Sequence, residues 1–106
     1  MIKLTEISDS FESGSVRWRK HALERMLERG ILRRDVREIV LNGEIIEQYP
    51  ASAPYPGVLV HGIVSGRNLH VVISWNDKSK LAYVISAYEP DEIHFMPDMK
   101  TRRGER

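Results

Sequence analysis

Apolar residues recur at helical spacing through roughly the first forty positions and at strand-like density after them. Leu4, Ile7 and Phe11 stand at i, i+3 and i+7, which predicts a short helix within residues 1–14, broken by Ser13-Gly14-Ser15. Ala22, Leu23, Met26 and Leu27 form the apolar face of a second helix from about Arg19 to Arg29. Val16 and Trp18 precede it as an extended approach, and Gly30 is placed to stop it, because the residue after a helix often takes the left-handed conformation. No Ser, Thr, Asp or Asn stands at its start to cap it. Val36, Ile39 and Val40 predict a third helix, Arg33 to Asn42, ended by Gly43. The short link Gly30 to Leu32 makes these two helices packed neighbours.

After Gly43 the pattern changes. Glu44 to Tyr49 reads as a strand ended by Pro50, and the loop Ala51 to Gly57 is stiffened by Pro54 and Pro56. Val58 to Val64, Leu69 to Trp75 and Leu81 to Glu89 are rich in Val, Ile and Tyr and read as strands. Short links between them imply an antiparallel meander. The fold class is therefore α+β, with N-terminal helices packed on a four-stranded, mainly antiparallel sheet. The chain divides into an N-terminal helix (1–14), a helical pair (15–43), the sheet (44–90) and a crossing segment with a basic tail (91–106), all in a single domain over 1–106. Ile93, Phe95 and Met96 are the expected anchors of the crossing segment. The last strand is apolar on both alternating sets, as a central strand should be, until Tyr88 and Glu89 emerge before Pro90. A two-residue hairpin loop at Gly66-Arg67 would set Val64 opposite Leu69 and His61 opposite Val72, placing His61 and His70 on one sheet face.

Charge narrows the function without settling it. The 106 residues carry a net charge of only +1, so nucleic-acid binding has to rest on local clustering. Clusters exist at Arg17 to Arg37 and at Lys100 to Arg106. The absence of cysteine excludes disulfides and thiolate metal sites. No signal peptide is evident, and no apolar run approaches the roughly 18 residues of a membrane span. A soluble, cytoplasmic protein without a membrane partner is the expectation.

Candidate chemistry centres on the second helix. A pitch of about 100° per residue stacks His21, Arg25 and Arg29 along one flank. Histidine exchanges protons near neutral pH, and arginine forks onto phosphate. The set suits a phosphodiester substrate, although on these residues alone an ordinary solvated helix face is the favoured reading. His61 and His70 on one face could begin a metal site, yet no carboxylate joins them by spacing, and semi-buried histidines satisfied by neighbours are the simpler reading. No metal and no cofactor is therefore assigned.

Four segments taken together, HALERMLERGI, NGEIIEQYP, LHVVISW with YVISAYEPD, and the closing KTRR, resemble a family of small bacterial and archaeal proteins catalogued as a domain of unknown function. Its members look like RelE-type toxins of toxin–antitoxin pairs, often encoded beside a small zinc-finger antitoxin. The resemblance spans roughly residues 16–103. It implies a RelE/barnase-like fold and metal-independent RNA cleavage, with messenger RNA on the ribosome as a candidate substrate and a cognate antitoxin as partner. Carried over by position, it nominates His21, Arg25, Tyr88 and Glu89 as catalytic and Arg29, Lys100, Arg102 and Arg103 as RNA-binding. The same surface would also serve a non-catalytic module that binds RNA, ribosome or protein. This chain departs from the family where Ser or Thr often caps the helices, since Arg19 and Leu32 to Arg34 stand there.

Overall fold

The computed structural model describes residues 1–104. Three helices, α1 (Leu4–Ser13), α2 (Lys20–Arg29) and α3 (Arg33–Asn42), accompany five strands, β1 (Val16–Trp18), β2 (Glu44–Tyr49), β3 (Gly57–Val64), β4 (Arg67–Asn76) and β5 (Leu81–Tyr88). The strands form one sheet in the order β1-β5-β4-β3-β2. The helix boundaries follow from local chemistry. α1 and α2 both end on a glycine in the left-handed region, Gly14 at φ 81° and Gly30 at φ 67°. At the other end of the short link, the Asp35 carboxylate accepts the Leu32 N–H at 2.8 Å and caps the start of α3.

The sheet has five strands rather than four, and it is mixed. Val16–Trp18, expected only as an extended approach to α2, pairs in parallel with β5 from Val16↔Ala82 to Trp18↔Val84. Three residues carry no periodicity of their own; β5 makes them a strand by supplying backbone partners. The β3–β4 turn also falls one residue earlier than the sequence suggests. Ser65 and Gly66 occupy its two central positions at φ 50° and 76°, the pair of positive values a type I′ turn requires. The register becomes Val64↔Arg67 and His61↔His70. The expected pairings of Val64 with Leu69 and His61 with Val72 are thus replaced, while His61 and His70 stay on one face as direct opposites.

The helices cover one face of the sheet. Ile7, Ala22, Met26, Val36, Ile39 and Val40 meet Val58, Val60, Leu69, Val71, Ile73, Trp75, Ala82 and Val84 in a continuous core. Leu27 does not join it and is 83% exposed: α2 presents the Ala22–Met26 stripe to the sheet, and the next residue turns about 100° away. In the crossing segment only Phe95 is buried; Ile93 and Met96 are exposed. α3 leaves the core against backbone. A Cβ placed on Gly43 would stand 2.3 Å from the His61 carbonyl oxygen and 2.5 Å from that of Ile39.

Arg67, at the start of β4, closes the open end of α2. Its guanidinium donates to the carbonyls of Gly30 at 3.0 Å and Arg29 at 3.1 Å, where the helix dipole favours a cation. Arg67→Ala is expected to cost about 1–2 kcal/mol in chemical denaturation, since two carbonyls lose a charged donor. An unchanged midpoint would mean that water replaces the guanidinium without loss.

Candidate functional site

Away from the helices, one row of side chains runs straight across four strands. The registers Glu44↔His61, His61↔His70 and His70↔Tyr88 place these four residues side by side on the same face. His61 Nε2 lies 2.7 Å from Asn68 Oδ1. His70 is fully buried; its Nε2 donates to the Met99 carbonyl at 2.6 Å, and its Nδ1 lies 3.3 Å from the Tyr88 hydroxyl. The Phe95 ring meets His70 edge-on, with centroids 4.6 Å apart. His70 thus fastens the crossing segment to the sheet.

Burial lowers the His70 pKa below its ordinary 6.5, against the smaller upward pull of the Met99 carbonyl. The unfolded chain then binds the proton that the folded one refuses. The His70 contribution to stability is complete above about pH 6.5 and is lost as the pH falls from there toward the lowered folded value. Thermal melts between pH 7.5 and 5 should show this decline, and His70→Gln should flatten it. Equal slopes in both proteins would remove His70 as its cause.

The basic tail is folded back over this face as far as Gly104; Glu105 and Arg106, the last of the expected basic run, lie outside the described residues. Lys100 Nζ reaches Glu44 at 3.2 Å. Arg102 donates to both Glu47 oxygens at 2.7 and 3.3 Å and lies 4.8 Å over the Phe95 ring. Arg103 Nε donates to the Glu92 carbonyl at 2.5 Å. Tyr49 adds its hydroxyl to the Glu47 carboxylate, and burial with that acceptor pushes the Tyr49 pKa up to about 12. The three tail cations among the four expected to hold RNA are therefore engaged within the protein, where they pin the crossing segment.

Where β5 ends, Tyr88, Glu89, Asp91, His94, Phe95 and Arg102 surround a concavity of about 190 Å³. Asp91 organises it. Its Oδ1 accepts from the Ile93 amide at 3.0 Å, the His94 amide at 2.9 Å and His94 Nδ1 at 2.9 Å. These donors, the His94 amide foremost, hold the Asp91 carboxyl below the usual carboxylate range. With Nδ1 donating to Asp91, the His94 ring is held by one nitrogen and Nε2 takes no part in that pair. Glu89 accepts from Arg67 at 3.4 Å, and Arg29 donates to the Ala87 carbonyl at 2.9 Å immediately before Tyr88. Burial raises the Tyr88 phenol above its ordinary pKa.

The structure therefore brings Arg29, Tyr88, Glu89 and Arg102 to one end of the sheet and adds three residues that sequence reasoning missed: Arg67, Asp91 and His94. Their one sequence signal is the Asp91-x-x-His94 spacing, which allows a local side-chain pair. His21 lies elsewhere. It occupies the first turn of α2 with its side chain 90% exposed and Nδ1 3.3 Å from Glu24, about 12 Å along the helix axis from Arg29. Arg25 pairs with Glu28 at 3.6 Å. Among the described residues no three His, Asp or Glu side chains converge as a metal site would require.

A family model described as a domain of unknown function, DUF4258, matches residues 18–89. The chain belongs to this family. No curated protein and no solved structure gives a match. The DUF4258 span contains Arg29, the histidine pair, Arg67, Tyr88 and Glu89, and it stops before the crossing segment that supplies Asp91, His94 and Arg102. No helix of the described residues is long and apolar enough to cross a membrane.

Proposed function

We propose that this DUF4258 chain is a metal-independent endoribonuclease of the RelE/barnase-like kind, the toxin of a toxin–antitoxin pair, with its chemistry in the concavity at the end of β5. One observation carries the reading: a histidine oriented by an aspartate and a carboxylate held by an arginine line the same hollow, with a second arginine beside them. RNA cleavage without a metal needs those parts. Glu89 takes the proton of the ribose 2′-hydroxyl, the 2′-oxygen attacks phosphorus, and the bond from phosphorus to the 5′-oxygen breaks. His94 delivers a proton from Nε2 to that leaving oxygen. The products are a 2′,3′-cyclic phosphate and a 5′-hydroxyl. Arg102 faces the charge that builds on the phosphorane, Arg67 holds the Glu89 carboxylate, and Tyr88 flanks the base or sugar. The zinc-finger antitoxin implied by the resemblance is the partner that would hold such an activity in check, and the cytoplasm is where both would act.

The test is purified protein incubated with RNA in EDTA, with and without ribosomes, followed by analysis of the product ends. Chelator-resistant cleavage leaving cyclic phosphate and 5′-hydroxyl ends is the expected result. Cleavage that EDTA abolishes, 5′-phosphate ends, or intact RNA in every arm would overturn the proposal. The second reading, a non-catalytic module that binds RNA, ribosome or protein, is favoured by the structural engagement of Lys100, Arg102 and Glu89. It predicts binding with no new RNA ends.

A further inference from the structure

Only some of the described cations have a carboxylate partner, and the arginines without one include a cluster of five near the first helices. Arg25, Arg67, Lys80, Lys100 and Arg102 each have a carboxylate partner. Arg17, Arg19, Arg33, Arg34 and Arg37 have none among the described residues, and all five are exposed. Three of them gather around a groove of about 220 Å³ whose floor is Phe11, Val16 and Trp18 and whose rim is Arg33, Arg34 and Arg37. The Arg33 guanidinium lies 5.7 Å from the centre of the Trp18 ring, and Phe11 supports that ring edge-on at 6.2 Å. Two carboxylates of α3 are committed elsewhere: Asp35 caps the Leu32 amide, and Glu38 accepts from the Asn42 amide.

This arrangement costs the free protein something. Arg33 and Arg37 are four apart and Arg34 and Arg37 three apart, spacings at which like charges repel along a helix. Arg33 and Arg34 also sit in the first turn of α3, where cations are disfavoured. Within the described residues the one contact that offsets this crowding is that of Arg33 with Trp18, which leaves Arg34 and Arg37 to be compensated by a ligand. Guanidinium groups fork onto phosphate oxygens, and a partly exposed indole ring beside them accepts an unpaired base. The groove also starts one short link, Gly30 to Leu32, beyond Arg29, whose side chain rests on Ala87 beside the concavity.

We infer that the Trp18–Arg33–Arg34–Arg37 groove is a docking surface for single-stranded RNA, holding its phosphates and one base while a neighbouring stretch of the strand lies at the β5 end. The choice of RNA rests on the ribonuclease reading; the anionic, base-bearing chemistry of the occupant rests on the groove. The probe is a fluorescein-labelled 12-nucleotide oligouridylate with 2′-O-methyl groups, which cannot be cleaved through its 2′-oxygen. Binding to the full chain is followed by anisotropy in EDTA from 50 to 200 mM salt. Changing Arg33, Arg34 and Arg37 together to Gln is expected to weaken binding at least about tenfold and to reduce the salt slope by about two, near 0.7 per phosphate contact. The corresponding triple Lys variant restores most of the binding, and Lys78→Gln, on a remote turn, leaves it unchanged. Melting curves confirm that each variant folds.

Wild-type affinity in the triple Gln variant overturns the inference, as does the absence of binding by the wild type at low salt. Equal affinity for duplex DNA or for polyglutamate overturns the assignment to single-stranded RNA. The two proposals fail separately. Ordinary RNA cut by a triple Gln variant that still binds the probe normally sinks the groove and leaves the ribonuclease. Probe binding lost in that variant, with ordinary RNA left intact by the wild type, sinks the ribonuclease and leaves the groove.

Discussion

His94→Gln is expected to lower the rate of RNA cleavage by about 10²–10⁴-fold, the usual contribution of a positioned proton-transfer group, while the protein still melts as wild type. The side chain is 67% exposed and pairs with Asp91, a surface pair worth about 0–1 kcal/mol. Stability and chemistry are therefore separable at this residue. Glu89→Gln should lower the rate to a similar degree, since the amide no longer takes the 2′-proton but can still accept from Arg67. His21→Ala is the informative contrast. An exposed histidine whose partner is Glu24 on the same helix should be dispensable, with cleavage within about twofold of wild type and full stability. Rates for the three variants, measured in EDTA with circular dichroism melts beside them, decide the matter. Cleavage lost in His21→Ala and kept in His94→Gln would move the chemistry to the start of α2 and refute the assignment to the β5 end.

Gly43→Ala is expected to cost about 3 kcal/mol or more, which for a domain of this size threatens folding at 37 °C. Gly43 itself adopts an ordinary extended conformation at φ −93°, so the demand is for space and not for backbone freedom. The added methyl would fall 2.3 Å from one backbone carbonyl oxygen and 2.5 Å from another, and neither can swing aside as a flexible side chain could. Relief would require α3 to lift off β3, opening the core at Ile39 and Val40. Gly62→Ala makes a graded comparison, because its methyl would meet the tip of Ile39 at 2.8 Å, a side chain that can change rotamer. Urea titrations should therefore rank Gly43→Ala well below Gly62→Ala. Equal midpoints would show that the helix exit can move at little cost.

Most of the fold was legible because its determinants are local. Gly14 and Gly30 end helices through their own backbone conformation, and the bounds of α3 and β2 follow from patterning with Gly43 between them. The strand Val16–Trp18 was not legible, because nothing in three residues announces pairing with a segment 66 positions later. The hairpin register turned on which central position Gly66 takes. Placing it second, with Ser65 first, satisfies a type I′ turn, and no longer-range pattern in β3 or β4 opposes the alternative. The site was only half legible. Tyr88 and Glu89 stood out as polar residues ending an apolar strand, whereas His94 lay in an irregular segment where periodicity has no meaning. The tail charges looked free because their partners, Glu44 and Glu47, lie more than fifty residues away.

The parallel pairing of β1 with β5 also governs when the molecule can take shape. During synthesis α1, α2 and α3 emerge first, yet each is ten residues long and too short to persist alone in water. The strand that α2 covers, and that Val16–Trp18 must join, is completed only at Tyr88. Closing so long a loop is slow relative to local helix formation. The nascent N-terminal half therefore waits without a settled surface: the arginine groove comes into being only once β5 is complete, and the β5-end hollow later still, once Arg102 has joined it.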